Sequence, residues 1–430
     1  MLTVGNRIKG LSVDLDYQGQ GVIKHDGYVI FVKGLLDQEE ALVEITKLRK
    51  KFGEARIIEI MKKSIDRRDD VESILGSCDM VHMTEQKQLL WQKRITEETL
   101  KKITGLDLTV EDVITDHKAR HYRNKSVFHV MEDRLLKLGL YQKDFYKLVK
   151  VDSFSLADEK TNEVLKLLND SNIIIDSKIL KYVICRTNPK GEILVTLVAK
   201  SSDFLGLEKI MNVLKTVKNI VGLTLNMMDD QTSILGRKSY TMFGENRINE
   251  PLGGIDIFLD DRSFYQINPP VIEKAYALMK AHMKDNLSVI DSYSGVGSIG
   301  FYLAEKAKKV VMIESNEEAI DNANLTKSRY AYHHIDVVLG RAEEVIDQYD
   351  ADILIVDPPR NGLLPEFIDK ILLKEYQQIF YLSCDAKTLA RDLVSLHDKY
   401  HIESVYPLKM FYQTSSLETL VFLNKKTQEN

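Results

Sequence analysis

The chain has 430 residues, 44% of them hydrophobic and 29% charged, with a formal net charge of -5. This is the composition of a globular protein with two or three cores, because single cores stop growing at roughly 250–300 residues. It excludes a transmembrane protein, since no apolar run approaches the roughly 18 residues that a spanning helix needs, and a disulfide scaffold, since only Cys78, Cys185 and Cys384 are present.

Met1 to Gly5 lacks a basic stretch followed by an apolar segment, so no secretory signal is expected and the cytoplasm is the expected compartment. The net negative charge argues against a polyanionic partner, but its distribution argues the other way. Basic residues gather at Lys47, Arg49, Lys50, Lys51 and Arg56, at Lys62, Lys63, Arg67 and Arg68, and at Lys118, Arg120, Arg123 and Lys125. Any one such cluster is ordinary solvated surface. Three in the first third of the chain favour nucleic acid.

Short β segments fill the first 61 residues: Val13 and Leu15, Gly21 to Ile23, Tyr28 to Val32, Leu42 to Ile45 and Ala55 to Met61, with an Asp26-Gly27 hairpin turn between two of them. Five strands at this length predict a small OB-type barrel. Residues 62–255 read as a central α/β unit. Its first helix is expected from Glu85 to Ile103, with Leu89, Leu90, Ile95, Leu100 and Ile103 as apolar positions and Gly105 as the stop. Tyr182 to Cys185 is expected to be a sheet strand, with Cys185 a small buried apolar residue.

Residues 256–430 carry the chemistry. Ser288 to Asp291 predicts a buried strand, and Gly295-Val296-Gly297-Ser298-Ile299-Gly300 opens a helix expected to run through Leu303, Ala304 and Ala307. Lys309 to Glu314, Asp352 to Val356 and Gln378 to Leu382 follow as strands alternating with helical stretches, which is the rhythm of a Rossmann-like doubly wound α/β sheet. Ligands bind such sheets beyond the carboxyl ends of the strands. Asp291, Glu314, Asp357 and Cys384 all fall there.

Each of these positions has a chemical use. Gly295 and Gly297 let a cofactor approach the backbone closely, without choosing which cofactor. Glu314, ending the second strand, can accept hydrogen bonds from both ribose hydroxyls of an adenosine. In Asp357-Pro358-Pro359-Arg360 the prolines fix the backbone directly after an acid and hold it against a ligand. Cys384 would ordinarily be core. It gains a role if the substrate is uracil, whose C5 is too weak a nucleophile to attack a methyl sulfonium until a thiolate adds at C6. Glu418 is then the candidate base for the C5 proton.

The chain resembles the RNA uracil-5 methyltransferases that modify bacterial 23S ribosomal RNA and the T-loop of transfer RNA. The likeness runs through a TRAM-like segment (Tyr17-Gln18-Gly19-Gln20-Gly21, Asp26-Gly27, Val29 to Val32), Tyr122-Arg123-Asn124-Lys125, Ser263 to Asn268, Asp291 to Gly297, the Asp357 loop, Ser383-Cys384 with Arg391-Asp392, and Glu418-Thr419. The resemblance implies S-adenosyl-L-methionine as cofactor, contacted by Gln266, Tyr293, Glu314 and Asp357. It also implies Cys384 as nucleophile, Glu418 as general base, and Arg123, Asn124 and Lys125 as RNA contacts. A monomer acting on 23S ribosomal RNA is expected, with a transfer-RNA T-loop uridine as the alternative.

Two departures stand out. Many ribosomal members hold an iron–sulfur cluster on four cysteines. Here only Cys78 remains in Gly76 to His82, and Phe154 occupies the neighbourhood of the distal ligand, so neither a cluster nor another metal is expected. Lys409, Tyr412 and Ser416 stand where the family usually has aspartate, proline and histidine, which bears on substrate choice. Two other readings compete. A non-catalytic RNA-binding protein fits the altered C-terminal motif but not the retention of Cys384 and Glu418. A cytosine-5 enzyme would be expected to carry a cysteine in the acidic loop, where this chain has Pro358.

Overall fold

The computed structural model describes residues 2–69, 78–142, 147–229 and 233–427. Strands Arg7–Leu15, Gly21–His25, Tyr28–Val32, Glu40–Leu48 and Phe52–Lys62 close into a barrel. Alternation drives the closure: Ile30 and Val32 in one strand, and Ala41, Val43 and Ile45 in another, point inward and are almost fully buried. The Asp26-Gly27 turn is formed with both residues at positive φ (45° and 79°), as a tight two-residue hairpin requires. Part of the basic clustering is consumed here. Arg56 pairs with Glu44 at 2.6 Å, Lys47 with Glu54 at 2.9 Å, and Arg67 with the fully buried Glu39 at 2.5 Å.

The central unit is a seven-stranded sheet whose spatial order is Lys238–Gly244, Ile220–Met227, Ile193–Ala199, Leu180–Thr187, Lys125–Val130, Leu138–Tyr141, Leu148–Lys150. Helices Glu159–Asp170 and Leu207–Leu214 add Val164, Leu165, Leu168, Ile210 and Leu214 to the core on it. Cys185 is buried in that core, as the sequence predicts. The hairpin Arg247–Leu252/Ile255–Asp260 straddles residue 255, and its Ile248, Leu252, Ile257 and Leu259 pack into the core of the following unit.

That unit is a second seven-stranded sheet, in the order Ile335–Leu339, Lys309–Glu314, Ser288–Ser292, Ile353–Val356, Gln378–Ser383, Glu418–Lys425, Tyr400–Leu408. The first five strands are parallel; Glu418–Lys425 runs antiparallel between its two neighbours. Helices Pro269–His282, Ser298–Leu303, Glu317–Arg329, Pro365–Lys374 and Ala386–Leu396 help build the two apolar layers that cover the sheet. The helix after the glycine turn ends at Leu303, short of the expected Ala307, because Lys306 and Ala307 turn back onto the Leu303 carbonyl and Lys308 already bonds to Leu287.

The helix Glu85–Thr104 forms where expected, capped by Thr84 and by Gly105 at φ 73°, but its buried face differs. Leu90 and Ile103 are exposed, whereas Gln88, Trp91, Gln92 and Thr96 are buried with Ile95 and Leu100. The surface this helix covers presents backbone carbonyls that can accept further hydrogen bonds, so amides serve better than leucines. Gln88 Nε2 donates to the Met80 and Met83 carbonyls at 3.2 and 3.0 Å, and Gln92 Nε2 donates to the Leu408 carbonyl at 2.8 Å. Among the described residues no helix is long and apolar enough to cross a membrane.

Candidate active site

The carboxyl ends of the parallel strands open into a cavity of about 780 Å3. Its lining includes Gln266, Tyr293, Gly295, Glu314, Asp357, Cys384 and Glu418. Gly297 lies beside it as N-cap of the Ser298–Leu303 helix.

The turn after Ser288–Ser292 is sharply bent. Tyr293, Gly295 and Gly297 all take positive φ, at 62°, 55° and 83°. At Gly295 an added Cβ would meet nothing within 4 Å and would project into open space, while at Gly297 it would strike Met312 Sδ at 2.7 Å. The first glycine therefore keeps the cavity clear and the second lets helix and sheet pack closely. Behind the turn, the buried Asp291 accepts the Gly300 N–H at 2.9 Å, and burial pushes its carboxyl up to about 8. Tyr293 hydroxyl donates to Glu343 at 2.6 Å, which fixes a ring that the sequence alone would leave as a packed aromatic.

Glu314 is more occupied than expected. Its Oε1 accepts the Ser315 and Asn316 N–H groups at 2.7 and 2.8 Å, and its Oε2 accepts the Gly295 N–H at 2.9 Å. Those bonds orient the carboxylate and leave acceptor capacity on Oε2 rather than on both oxygens.

Asp357 leaves the apolar strand Ile353–Val356 into a loop locked from behind. Asp392 Oδ2 accepts the Leu363 N–H at 2.8 Å and the Tyr381 hydroxyl at 2.7 Å, while Arg391 donates to the Asn361 and Leu363 carbonyls at 2.9 and 3.2 Å. The Arg391-Asp392 pair is thus a brace for the acidic loop. Gln266 Nε2 donates to Asp357 at 3.3 Å, and burial raises the Asp357 carboxyl to about 7.

Cys384 follows strand Gln378–Ser383, and the backbone around it is fixed: Asp385 N–H donates to Ser383 Oγ at 3.3 Å, and the Asp385 carboxylate caps the next helix at Lys387 and Thr388. Glu418 begins the adjacent antiparallel strand. Ser383 pairs with Thr419 in register, so the next step along the ladder brings Cys384 and Glu418 to the same sheet end. Burial, then the charges of Glu418 and Asp357, push the Cys384 thiol up to about 11, with Arg360 opposing. Burial and Asp357 hold the Glu418 carboxyl well above the usual carboxylate range. Arg360, Glu343 and Phe411 are members of this site that residue types alone did not single out. Only the position of Arg360 in the acidic loop signalled one of them.

These values give a checkable expectation. Cys78 and Cys185 are buried, so iodoacetamide should label Cys384 first, with a rate that climbs steadily above pH 8 as the thiolate fraction grows. In Glu418→Gln the same curve should move to lower pH, since a charge that opposes the thiolate is gone. A rate flat between pH 7 and 9 would contradict the upward shift of the Cys384 thiol.

The basic strand is split in function. Asn124 is buried, with Nδ2 donating to the Gln266 carbonyl at 3.2 Å, so its side chain supports the cofactor-side loop rather than facing solvent. Arg123 lies 5.5 Å over the Phe154 ring, and Lys125 donates to the Asp261 carbonyl at 3.2 Å. Cys78 packs in the central core with Phe154. Gly76 and Ser77 of the same segment lie outside the described residues. Among the described residues no group of three or more His, Cys, Asp or Glu could hold a metal.

The loop before Glu418 is tied to the central unit. Gln413 exchanges bonds with Gln88 at 3.0 and 3.1 Å, and Ser415 bonds twice to Asp79, at 3.0 and 2.6 Å. Tyr412 is buried with its hydroxyl on Thr115 Oγ1, Lys409 is fully buried beside it, and Ser416 is exposed.

The family described as tRNA (Uracil-5-)-methyltransferase matches residues 340–426, the TRAM domain residues 7–58, and the methyltransferase small domain residues 270–367. An uncharacterised RNA methyltransferase of Oceanobacillus iheyensis is 32% identical over 96% of this chain and 95% of its own length. One from Staphylococcus aureus is 31% identical over 98% and 99%. Among solved structures, the Pyrococcus abyssi tRNA (uracil-54, C5)-methyltransferase in complex with S-adenosyl-L-homocysteine shares the fold. Its TM-score is 0.78 over 96% of this chain and 99% of that one, at 23% identity. With relatives above 30% identity along nearly its whole length, and the uracil-5 family signature over the segment that carries Cys384 and Glu418, this chain belongs to the RNA (uracil-5-)-methyltransferase family.

Proposed function

We propose that this enzyme transfers a methyl group from S-adenosyl-L-methionine to C5 of a uracil in RNA, through a covalent adduct between Cys384 and C6. The observation that carries the reading is the convergence of Cys384, Glu418 and Asp357 on one cavity from three strand ends. The barrel (1–61) and central unit (62–255) hold RNA, and residues 256–430 perform the chemistry in a cytoplasmic monomer.

The donor set fits the cofactor. The space kept clear by Gly295, the oriented Glu314 carboxylate, and the Gln266–Asp357 pair suit an adenosine and an amino-acid tail. When bound, S-adenosyl-L-methionine supplies the electrophilic methyl group together with a positive charge. The Cys384 thiolate adds at C6, which moves the π electrons onto C5 and O4 and makes C5 nucleophilic. After C5 is methylated, Glu418 removes the C5 proton; those electrons restore the C5–C6 double bond and expel the thiolate. A carboxylate whose pKa is raised by burial is the stronger base for that step.

The barrel does not choose between the two RNAs, because the fold shared with the Pyrococcus abyssi enzyme takes in 96% of this chain. The deciding experiment incubates the protein and S-adenosyl-L-methionine with 23S ribosomal RNA or transfer RNA containing 5-fluorouridine. Fluorine at C5 cannot leave as a proton, so the adduct should survive denaturation. We expect it with 23S RNA; an adduct with transfer RNA alone would reassign the substrate, and none with either would favour a non-catalytic RNA-binding role.

A further inference from the structure

A second cavity, of about 340 Å3, adjoins the first, and Ser263 to Gln266 with Phe411 line both. Apart from Ile267, its remaining walls come from the central unit, where Arg123, Lys125, Ser126, Leu140 and Phe154 face it. Arg123 and Lys125 enter the methyl-transfer reading only as general RNA contacts, and Ser126, Leu140 and Phe154 have no role in it.

The polar atoms here are under-satisfied. Ser126 is 5% exposed and its hydroxyl has no hydrogen-bond partner among the described residues, which is unusual for a buried polar group unless a ligand or solvent completes it. Lys125 spends one of its three donors on the Asp261 carbonyl. The apolar walls are aromatic: Phe154 lies under the Arg123 guanidinium, and Phe264, in the wall shared by both cavities, is 72% exposed. Aromatic faces next to cations make a platform for stacking unpaired bases. The volume sits near the lower limit of small-ligand sites, roughly 300 Å3, which suits one planar ring system rather than a second cofactor.

We infer that this cavity receives a second unstacked nucleobase of the substrate strand, one or two nucleotides from the target uracil. It stacks against Phe264 and the Arg123 guanidinium, which Phe154 backs from the core, and Ser126 and Lys125 hydrogen-bond its edge. The inference rests on the uracil-methyltransferase reading, and the shared wall is the reason for it: a strand delivering one base to Cys384 passes the mouth of the neighbouring cavity.

The test uses whichever RNA forms the 5-fluorouridine adduct, prepared with 2-aminopurine at each position within two nucleotides of the target. One position should change its fluorescence several-fold when wild-type protein forms the adduct. Ser126→Leu fills the cavity from its floor, and Leu140→Phe narrows it from a half-buried wall should the first variant fold poorly. Both should abolish that response and raise KM for RNA about ten-fold, the loss expected for one stacked base, while changing kcat much less. An adduct with no responsive position, or a response that survives both variants, overturns the second-base assignment alone. Failure of wild type to form any adduct removes the uracil reading and this inference with it.

Discussion

Cys384→Ala should reduce the single-turnover rate of RNA methylation by about four orders of magnitude or more, the scale on which removal of a covalent nucleophile acts. Without addition at C6, C5 of uracil is no nucleophile, and nothing else in the cavity can replace the thiolate. Cys78 and Cys185 are packed in the central core, on other strands and loops. The substitution should leave the fold intact. Cys384 is only partly buried, and its flanking backbone is held by Ser383 and by the Asp385 cap rather than by the sulfur. Cofactor affinity, measured by calorimetry, should therefore stay within a few-fold of wild type. Methylation within ten-fold of wild type would rule out the covalent route.

Glu418→Gln should separate the two halves of the reaction. Addition and methyl transfer proceed, but the C5 proton stays, so a denaturation-resistant adduct should accumulate on ordinary uridine RNA, which wild type releases. Turnover should fall about 10²- to 10⁴-fold, the range for loss of a general base. Stability should move the other way. A carboxyl whose folded pKa lies above its unfolded value binds its proton more tightly when folded, so its contribution is complete at pH below the unfolded value and is lost as pH rises through the folded one. Glutamine carries no such penalty, so the variant should melt at or above the wild-type temperature at pH 8. Release of methylated RNA at the wild-type rate would assign the base to another residue.

Both expectations depend on features of differing legibility. Cys384 was visible as a lone cysteine after an apolar strand, and Asp357 as an acid after four buried residues, because strand ends follow from local pattern. Glu314 was placed correctly at a strand end, yet its bonds to Gly295, Ser315 and Asn316 were not foreseeable. They depend on how one turn folds onto the next strand. The helix Glu85–Thr104 is the clearest failure of pattern: counting leucines put Leu90 and Ile103 inward, whereas the helix turned its glutamines to the carbonyls of distant loops.

The amino-acid sequence by itself determined the barrel strands, the alternating strands and helices of the catalytic unit, and the identity of the acid, the thiol and the glycines. Each of these is written in periodicities of two or about 3.6 residues and in turn chemistry that acts over a few positions. The tertiary structure alone decided that Glu418 meets Cys384, through the antiparallel register of Glu418–Lys425 against Gln378–Ser383. It decided likewise that the loop before Glu418 is held by Gln88 across 325 residues of chain, and that Asn124 supports Gln266 from within. Those pairings are set by which surfaces can be buried together, and nothing local in the sequence encodes a partner hundreds of residues away.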